Sequence, residues 1–330
     1  MESSRAARRN HRARSSRRRP LLCTALASVA VVGATAAGTV YVKAQAHTGP
    51  VSSSAAPSAS ASGSGEATVE PVTQPTVDYD ALLAKAMTSV TPAGDQRVSV
   101  AVLDVDSGES ATYGGAAFDT ASIVKVDILA TLLLQAQDAD RQLTATEESY
   151  ATTMIENSDN DSASALWDLI GEADGLDAAN KTFGLTGTTG GDGPLWGLTQ
   201  TTAADQLTLL QQVFGDDSKL SSASRSYIQG LMGQIEADQQ WGVSAAADGS
   251  QWKLKNGWLA RSTTGLWDVN SIGRVTGTDG HEYLIAVLSK GSTTQAKGIS
   301  LIEAAAKAGV AAFAASGSST SASASATATD

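Results

Sequence analysis

Ser122-Ile-Val-Lys125 sets a hydroxyl and an amine three residues apart at the head of an apolar stretch. On a helix that spacing puts both side chains on one face. An apolar surrounding would strip water from Lys125 and lower its pKa toward that of a useful base. The helix start would also aim N–H groups and the positive dipole end at Ser122. Taken alone in a serine-rich chain, S-x-x-K reads first as a helix cap followed by a solvated lysine. The rest of the chain restricts the choice. There are three histidines, and beyond His11 only His47 and His281 remain, with no G-x-S-x-G elbow to accompany them. A histidine-rich metal cluster is therefore excluded, and a covalent catalyst here would use a lysine or carboxylate as base.

Two further clusters carry polar groups suited to a cleft. Ser158-Asp159-Asn160 lies at a break between two helical stretches, where a serine could relay a proton and an amide could hold a carbonyl. On its own it also reads as an N-cap cluster. Lys255-Asn256-Gly257 follows Trp252 on an expected strand. Lys255 would offer fixed positive charge to a carboxylate, and Gly257 would let substrate approach the backbone. An edge-strand lysine before a turn is the simpler alternative.

The elements that must position these groups are legible in outline. Tyr79 to Val90 reads as a helix, and Val98 to Val105 as a strand turning at Asp106-Ser107-Gly108. Ile123 to Gln135 is apolar nearly all round, which predicts a fully buried helix. Residues 145–235 give short helices broken by glycines, one of them starting at Thr201 or Thr202 with Asp205 completing a capping-box-like start. Trp252 to Trp258, Leu266 to Val275 and Tyr283 to Ser289 read as strands, with a turn at Thr276 to Gly280, and Ala296 to Ala314 as a closing helix. Strands near both ends with helices between predict an α/β (α+β) fold. It would hold an antiparallel sheet from both chain ends, flanked by helices, with an inserted helical lobe and a cleft between the two.

The chain has 330 residues, of which 42% are hydrophobic, enough for a core. Its first 19 residues hold eight of the 23 Lys+Arg and one of the 34 Asp+Glu, so the remainder carries a net charge of −18. So acidic a body repels phosphate backbones, and nucleic acid is not an expected partner. Pro20 to Val42 is an apolar run after a basic start, long enough to cross a bilayer. Ala44-Gln45-Ala46 has the form of a signal-peptidase site. Residues 1–46 are thus expected to be a signal peptide or a membrane anchor, and the remainder to be exported, either secreted or held on the outer face of the membrane. Residues 47–77 form a Ser/Ala/Pro-rich linker, 78–315 the folded domain, and 316–330 a Ser/Ala/Thr tail expected to be disordered. Cys23 is the single cysteine, which rules out disulfides and thiolate chemistry in the exported part. No cofactor or metal is expected, and the domain is expected to be monomeric.

In this order, S-x-x-K, S-D-N and K-x-G resemble the signature of class A β-lactamases and penicillin-binding proteins. Phe118 to Lys125 is similar to that family's nucleophile segment, and Met154 to Ala163 to its S-D-N helix start. Thr201 to Ala204 resembles the helix after its Ω-loop, and Tyr283 to Leu288 its last strand, so the resemblance spans about Asp78 to Ala315. It implies a β-lactamase/transpeptidase-like fold in which Ser122 forms an acyl-enzyme, Lys125 serves as base and Ser158 shuttles the proton to the leaving nitrogen. It further implies that Asn160 orients the substrate amide, that Lys255 with Asn256 and Gly257 receives its carboxylate, and that the N–H groups of Ser122 and Trp258 hold the oxyanion. Each such donor contributes on the order of 3 kcal/mol. The implied substrate is a β-lactam or a peptidoglycan-derived D-alanyl peptide.

Three departures qualify the resemblance. Gly184 to Gln200, which corresponds to the Ω-loop, holds no glutamate, its one acid being Asp192. An acyl-enzyme would then resist water. Ser158 follows Ser122 by only 36 residues, which implies a more open site, and Asn256 stands where threonine is usual. Trp196 and Trp258 are candidates to line the cleft, whereas Trp252 reads as core. Esterase or amidase chemistry on the same scaffold, or a degenerate cell-wall-binding domain, are the competing readings. A drifting pseudoenzyme has no reason to keep Ser122, Lys125, Ser158 and Lys255 together.

Overall fold

The computed structural model describes residues 77–325, with side chains as far as Ala314. The expected leader, anchor and linker before Val77 lie outside the described residues. No helix among the described residues is long and apolar enough to cross a membrane.

Asp78 caps α1 (Tyr79–Met87) by accepting from the Ala81 N–H at 2.9 Å. The chain continues through β1 (Arg97–Asp104), β2 (Ser110–Tyr113) and a short β3 (Phe118–Asp119) to a single 3-10 turn, Ala121–Ile123, and α2 (Val124–Asp138). Helices α3 (Ala145–Glu156), α4 (Asn160–Ile170) and α5 (Glu172–Phe183) follow, then β4 (Gln200–Thr201), α6 (Ala203–Phe214) and α7 (Ser222–Met232). The last part is β5 (Trp252–Ala260), β6 (Trp267–Thr276), β7 (Glu282–Ser292) and α8 (Gln295–Ser325). The five long strands form one antiparallel sheet in the order β2-β1-β7-β6-β5, and β3 pairs with β4 in a separate two-stranded piece. Both chain ends therefore supply the sheet, and the helical lobe is inserted between β2 and β5, as expected.

Alternation along the central strand explains its unbroken apolar run. Leu284, Ala286 and Leu288 of β7 pack into the core shared with α2, α4, α5 and α6, while Tyr283, Ile285 and Val287 face α1 and α8. A strand covered on both faces has no solvent side to fill with polar residues. The backbone of α8 continues to Ser325, ten residues into the tail expected to be disordered. Only Ala322 and Ala324 of those ten residues are strong helix formers, so the extension rests on an established helix being cheap to continue.

Of the 15 residues of α2, 12 are buried. One of these is Asp127, which is 1% exposed. Neither of its oxygens makes a hydrogen bond of ordinary geometry among the described residues, although the Asn180 amide on α5 lies beside it. Burial pushes its carboxyl from 3.8 up to about 7, and the charges of Asp177 and Asp205 push the same way. In the unfolded chain the group ionises above its ordinary value, so its contribution to stability falls as pH rises through that window. We predict that Asp127→Asn is more stable than the wild type at about pH 8, by about 1–3 kcal/mol, and that the gap closes near pH 4. Urea unfolding at the two pH values measures it.

Candidate active site

The turn that carries Ser122 is held from three sides. Asn270 of β6, fully buried, donates from Nδ2 to the carbonyls of Asp119 (2.9 Å) and Thr120 (3.0 Å) and accepts from the Ser289 N–H at 3.0 Å. Asp119 pairs with Arg261 at the end of β5 and accepts from Gln200 of β4. Gly257 completes the seat: a Cβ there would lie 2.7 Å from the Ser122 nitrogen and 2.8 Å from the Thr120 carbonyl oxygen. A glycine is therefore required at 257 by the chain's own backbone, a demand the sequence reading did not include. Ala121 holds φ +48°, a region that costs a residue with a Cβ of order 1–3 kcal/mol. No side chain caps the 3-10 turn or α2, so the first N–H groups of the helix and its positive end remain directed toward Ser122.

Ser158 sits at φ +56° in the turn between α3 and α4, and two lysines converge on its hydroxyl. Lys125 Nζ donates to Ser158 Oγ at 3.1 Å, to the Ser158 carbonyl at 2.6 Å and to Asn160 Oδ1 at 2.8 Å. Lys255 Nζ donates to Ser158 Oγ at 3.0 Å and to the Asn256 carbonyl at 3.1 Å. Both ammonium-bearing side chains are fully buried. Loss of water lowers Lys125 from 10.5 to about 7 against the opposing pull of Asp159. Lys255 is pushed well below its ordinary value by burial and then by repulsion from Lys125. The Trp196 ring covers Lys125, with its centroid 5.0 Å from Nζ, and its indole N–H donates to Ser164 Oγ at 3.1 Å.

A neutral Lys125 still fits its surroundings. Its two remaining N–H groups suffice for the Ser158 carbonyl and Asn160 Oδ1, which only accept, and the lone pair is then free to take a proton.

Asn160, which accepts from Lys125, and Trp196, which covers it, line a cavity of about 630 Å³ together with Ser122, Leu195, Trp258 and Arg261 among others. No carboxylate lines it. Asp192 is exposed and outside it. The 184–200 segment is held down by Asp205, whose Oδ2 accepts from the Gly187 N–H (2.7 Å) and the Thr188 hydroxyl (2.6 Å), and by Trp167, which donates to the Gly193 carbonyl at 2.8 Å. Thr202 does cap α6, accepting from the Asp205 N–H at 3.1 Å, but the Asp205 carboxylate is committed to the loop instead of closing a capping box.

The structure thus brings Ser122, Lys125, Ser158, Asn160, Lys255 and Trp258 to one place. Asn256 departs from expectation. It is fully buried, and its amide nitrogen donates to the carbonyls of Gln239 (2.7 Å) and Trp241 (3.0 Å). Successive strand side chains point to opposite faces, so with Lys255 turned to Ser158, Asn256 turns away from the cavity and cannot reach a substrate carboxylate. Trp252 is partly buried against the core, and Trp241, unremarked in the sequence, packs on Trp258 with ring centroids 5.7 Å apart. Asn270 also escaped the sequence reading. It shares its strand with Asp268, Ser271 and Arg274, so its amide carried no distinct signal.

Residues 142–313, just over half of the chain, match a family model described as the Beta-lactamase enzyme family. No curated protein matches the sequence. Among solved structures, the fold is similar to PBP-A, at 21% identity and a TM-score of 0.61 over 71% of this chain and 96% of that one. A class A β-lactamase from Bacteroides cellulosilyticus aligns at 16% identity and a TM-score of 0.62, over 72% of this chain and 99% of that one. A β-lactamase from Xanthomonas campestris aligns at 20% and 0.57, over 71% and 98%.

The buried lysines make a pH prediction. Between about 7 and 10.5 the unfolded chain binds a proton at Lys125 that the folded chain does not, so stability rises with pH across that window. Lys255 acts in the same direction. The unfolding free energy of the wild type should climb from about pH 7 to about pH 9, and Lys125→Met should climb less. A series of urea titrations across that range measures both slopes.

Proposed function

This chain belongs to the beta-lactamase enzyme family, and on that premise we propose that it is an exported serine hydrolase. In this reading it is acylated through Ser122 by a β-lactam or a D-alanyl cell-wall peptide, and the acyl-enzyme turns over slowly. The observation that carries the reading is the convergence of Lys125 and Lys255 on Ser158 Oγ beside the cavity that Ser122 lines.

Lys125, neutral in a substantial fraction at pH 7, takes the proton from Ser122 Oγ as that oxygen bonds to the substrate carbonyl carbon. Negative charge moves to the carbonyl oxygen, which the N–H groups of Ser122 and Trp258 receive. Trp258 belongs to the outermost strand of the sheet, whose free edge borders the cavity. When the C–N bond breaks, the leaving nitrogen takes the Ser158 hydroxyl proton, and the Lys125 ammonium refills that hydroxyl across 3.1 Å. Lys125 is neutral again, and the acyl group remains on Ser122. A substrate carboxylate would favour the charged form of Lys255 against the effect of its burial, because an opposite charge raises an amine's pKa. Asn160, which already accepts from Lys125, would hold the substrate amide through its Nδ2. Slow deacylation is supported by a cavity wall without a carboxylate to activate water. Export is supported by the basic residues 1–19 and the apolar run Pro20 to Val42 that follows them.

Intact-mass spectrometry of residues 47–330 with a fluorescent penicillin tests the reading. The wild type should gain one stable adduct and Ser122→Ala none. Rapid loss of the drug without an adduct would show efficient turnover and defeat the slow-deacylation part. Neither adduct nor drug loss would sink β-lactam recognition and favour the esterase or binding-domain readings. The acylation rate should rise with pH through about 7 as Lys125 loses its proton, and Ser158→Ala should lower it by about 10²-fold or more. Stopped-flow labelling across pH reads both.

A further inference from the structure

Asn256 occupies the motif position nearest Lys255, yet its amide points to the opposite face of β5 and holds a different part of the chain. The residues from Glu236 to Trp241 run between β5 and the end of α3, and they are tied at both sides. On the β5 side, Asn256 Nδ2 donates to the carbonyls of Gln239 and Trp241. Its cross-strand partner Ser271 accepts from the Val243 N–H at 2.9 Å, just past the strap. Gly242, between the two anchors, has φ +86°, and a Cβ there would lie 2.3 Å from Ser271 Oγ. On the α3 side, Gln239 Nε2 donates to the Asn157 carbonyl at 3.2 Å and the Glu236 N–H to the Glu156 carbonyl at 3.0 Å. Asn157 returns a side-chain hydrogen bond to Glu236. The next residue is Ser158, held at a positive φ that a residue with a Cβ keeps only when its surroundings impose it.

We propose that Asn256 is a positioning residue: by holding residues 236–241 between β5 and the end of α3, it fixes the Ser158 hydroxyl between Lys255 and Lys125. The inference rests on the acyl-transfer reading above for its catalytic meaning, although the geometric link stands apart from it. Lys255 and Asn256 are consecutive on one strand, so the strand that presents an amine to one side of Ser158 also clamps the turn from the other. Strand adjacency couples the two, because a backbone shift at either residue displaces the other. The Gln239 carbonyl is held by Asn256 while its side chain holds Asn157, so a single residue separates the anchor from the Ser158 turn.

The test measures the Lys125 amine itself, which needs no substrate. Full-length chain carrying 13C-labelled lysine side chains is titrated by NMR, with Lys125→Met giving the assignment. In the wild type the Lys125 midpoint lies at about 7. Asn256→Ala releases the strap, lets water reach the Ser158 turn and raises that midpoint by roughly one unit or more. Gln239→Met cuts the link to Asn157 without touching β5 and should raise it in the same direction, which keeps the test usable where Asn256→Ala does not fold. Acylation by a fluorescent penicillin should fall about 10-fold in step with the shift. A lowered melting temperature with an unmoved midpoint in the folded variants would overturn the proposal and leave Asn256 a packing residue. A shifted midpoint in a chain whose wild type never acylates would keep the positioning link and reject the catalytic reading instead.

Discussion

Two buried amines sharing one hydroxyl is the constraint on which the rest of this molecule depends. Taking an ammonium out of water is costly, and placing a second one against the same oxygen adds repulsion. The arrangement survives because each amine is given acceptors without being given a carboxylate that would fix its charge. Lys125 has the Ser158 carbonyl and the Asn160 amide oxygen, and Lys255 has its neighbour's carbonyl. Asp159 is close enough to oppose the fall in the Lys125 pKa but spends its carboxylate capping α4. The outcome is an amine near 7 beside a serine at the head of a helix.

Holding that geometry takes elements from distant parts of the chain. The Ser122 turn rests on β5 through Gly257, on β6 through Asn270 and on the end of β5 through the Asp119–Arg261 pair. The Ser158 turn is carried by the helical lobe, whose α2 is buried almost throughout. Sheet and lobe thus each supply part of the site. Residues 236–241 tie the two together through Asn256 on β5 and Asn157 at the end of α3, while residues 184–200 are pinned to the lobe by Asp205 of α6 and Trp167 of α4. Buried polar side chains do this work because each can satisfy a backbone group that a loop would otherwise leave unpaired.

On the proposed reading, the cavity is furnished for the first half of an acyl transfer more completely than for the second. The proposed acylation would draw its base, proton shuttle and amide from Lys125, Ser158 and Asn160, while Pro194, Leu195 and Trp196 line the cavity beside Ser122. An ester formed there would meet apolar surface where a hydrolase with fast turnover needs a carboxylate next to a water. Asp127, the most deeply buried acid of the lobe, offers no substitute: it lies on α2 among α5 and α6 and holds its proton to about 7.

Local pattern determined a good deal by itself. Ser122 and Lys125 are one helical turn apart, so their shared face follows from helix geometry, and the apolar residues after them dictate a buried helix with a desolvated amine. The doubly covered β7 was legible as a continuous apolar run, and Thr202 as a cap, because both are properties of adjacent residues. Whatever depends on which face of a strand meets which partner was decided only by the tertiary structure. Lys255, Asn256 and Gly257 read as one binding motif in a line of text, yet a period of two sends Asn256 to the far side and turns Gly257 against the Ser122 backbone. The partners of Asn270, Asp205 and Asp127 are likewise remote in sequence. Spacing fixes the relation of a residue to its own helix or strand, while the register between strands and the packing of the lobe on the sheet fix what that residue touches.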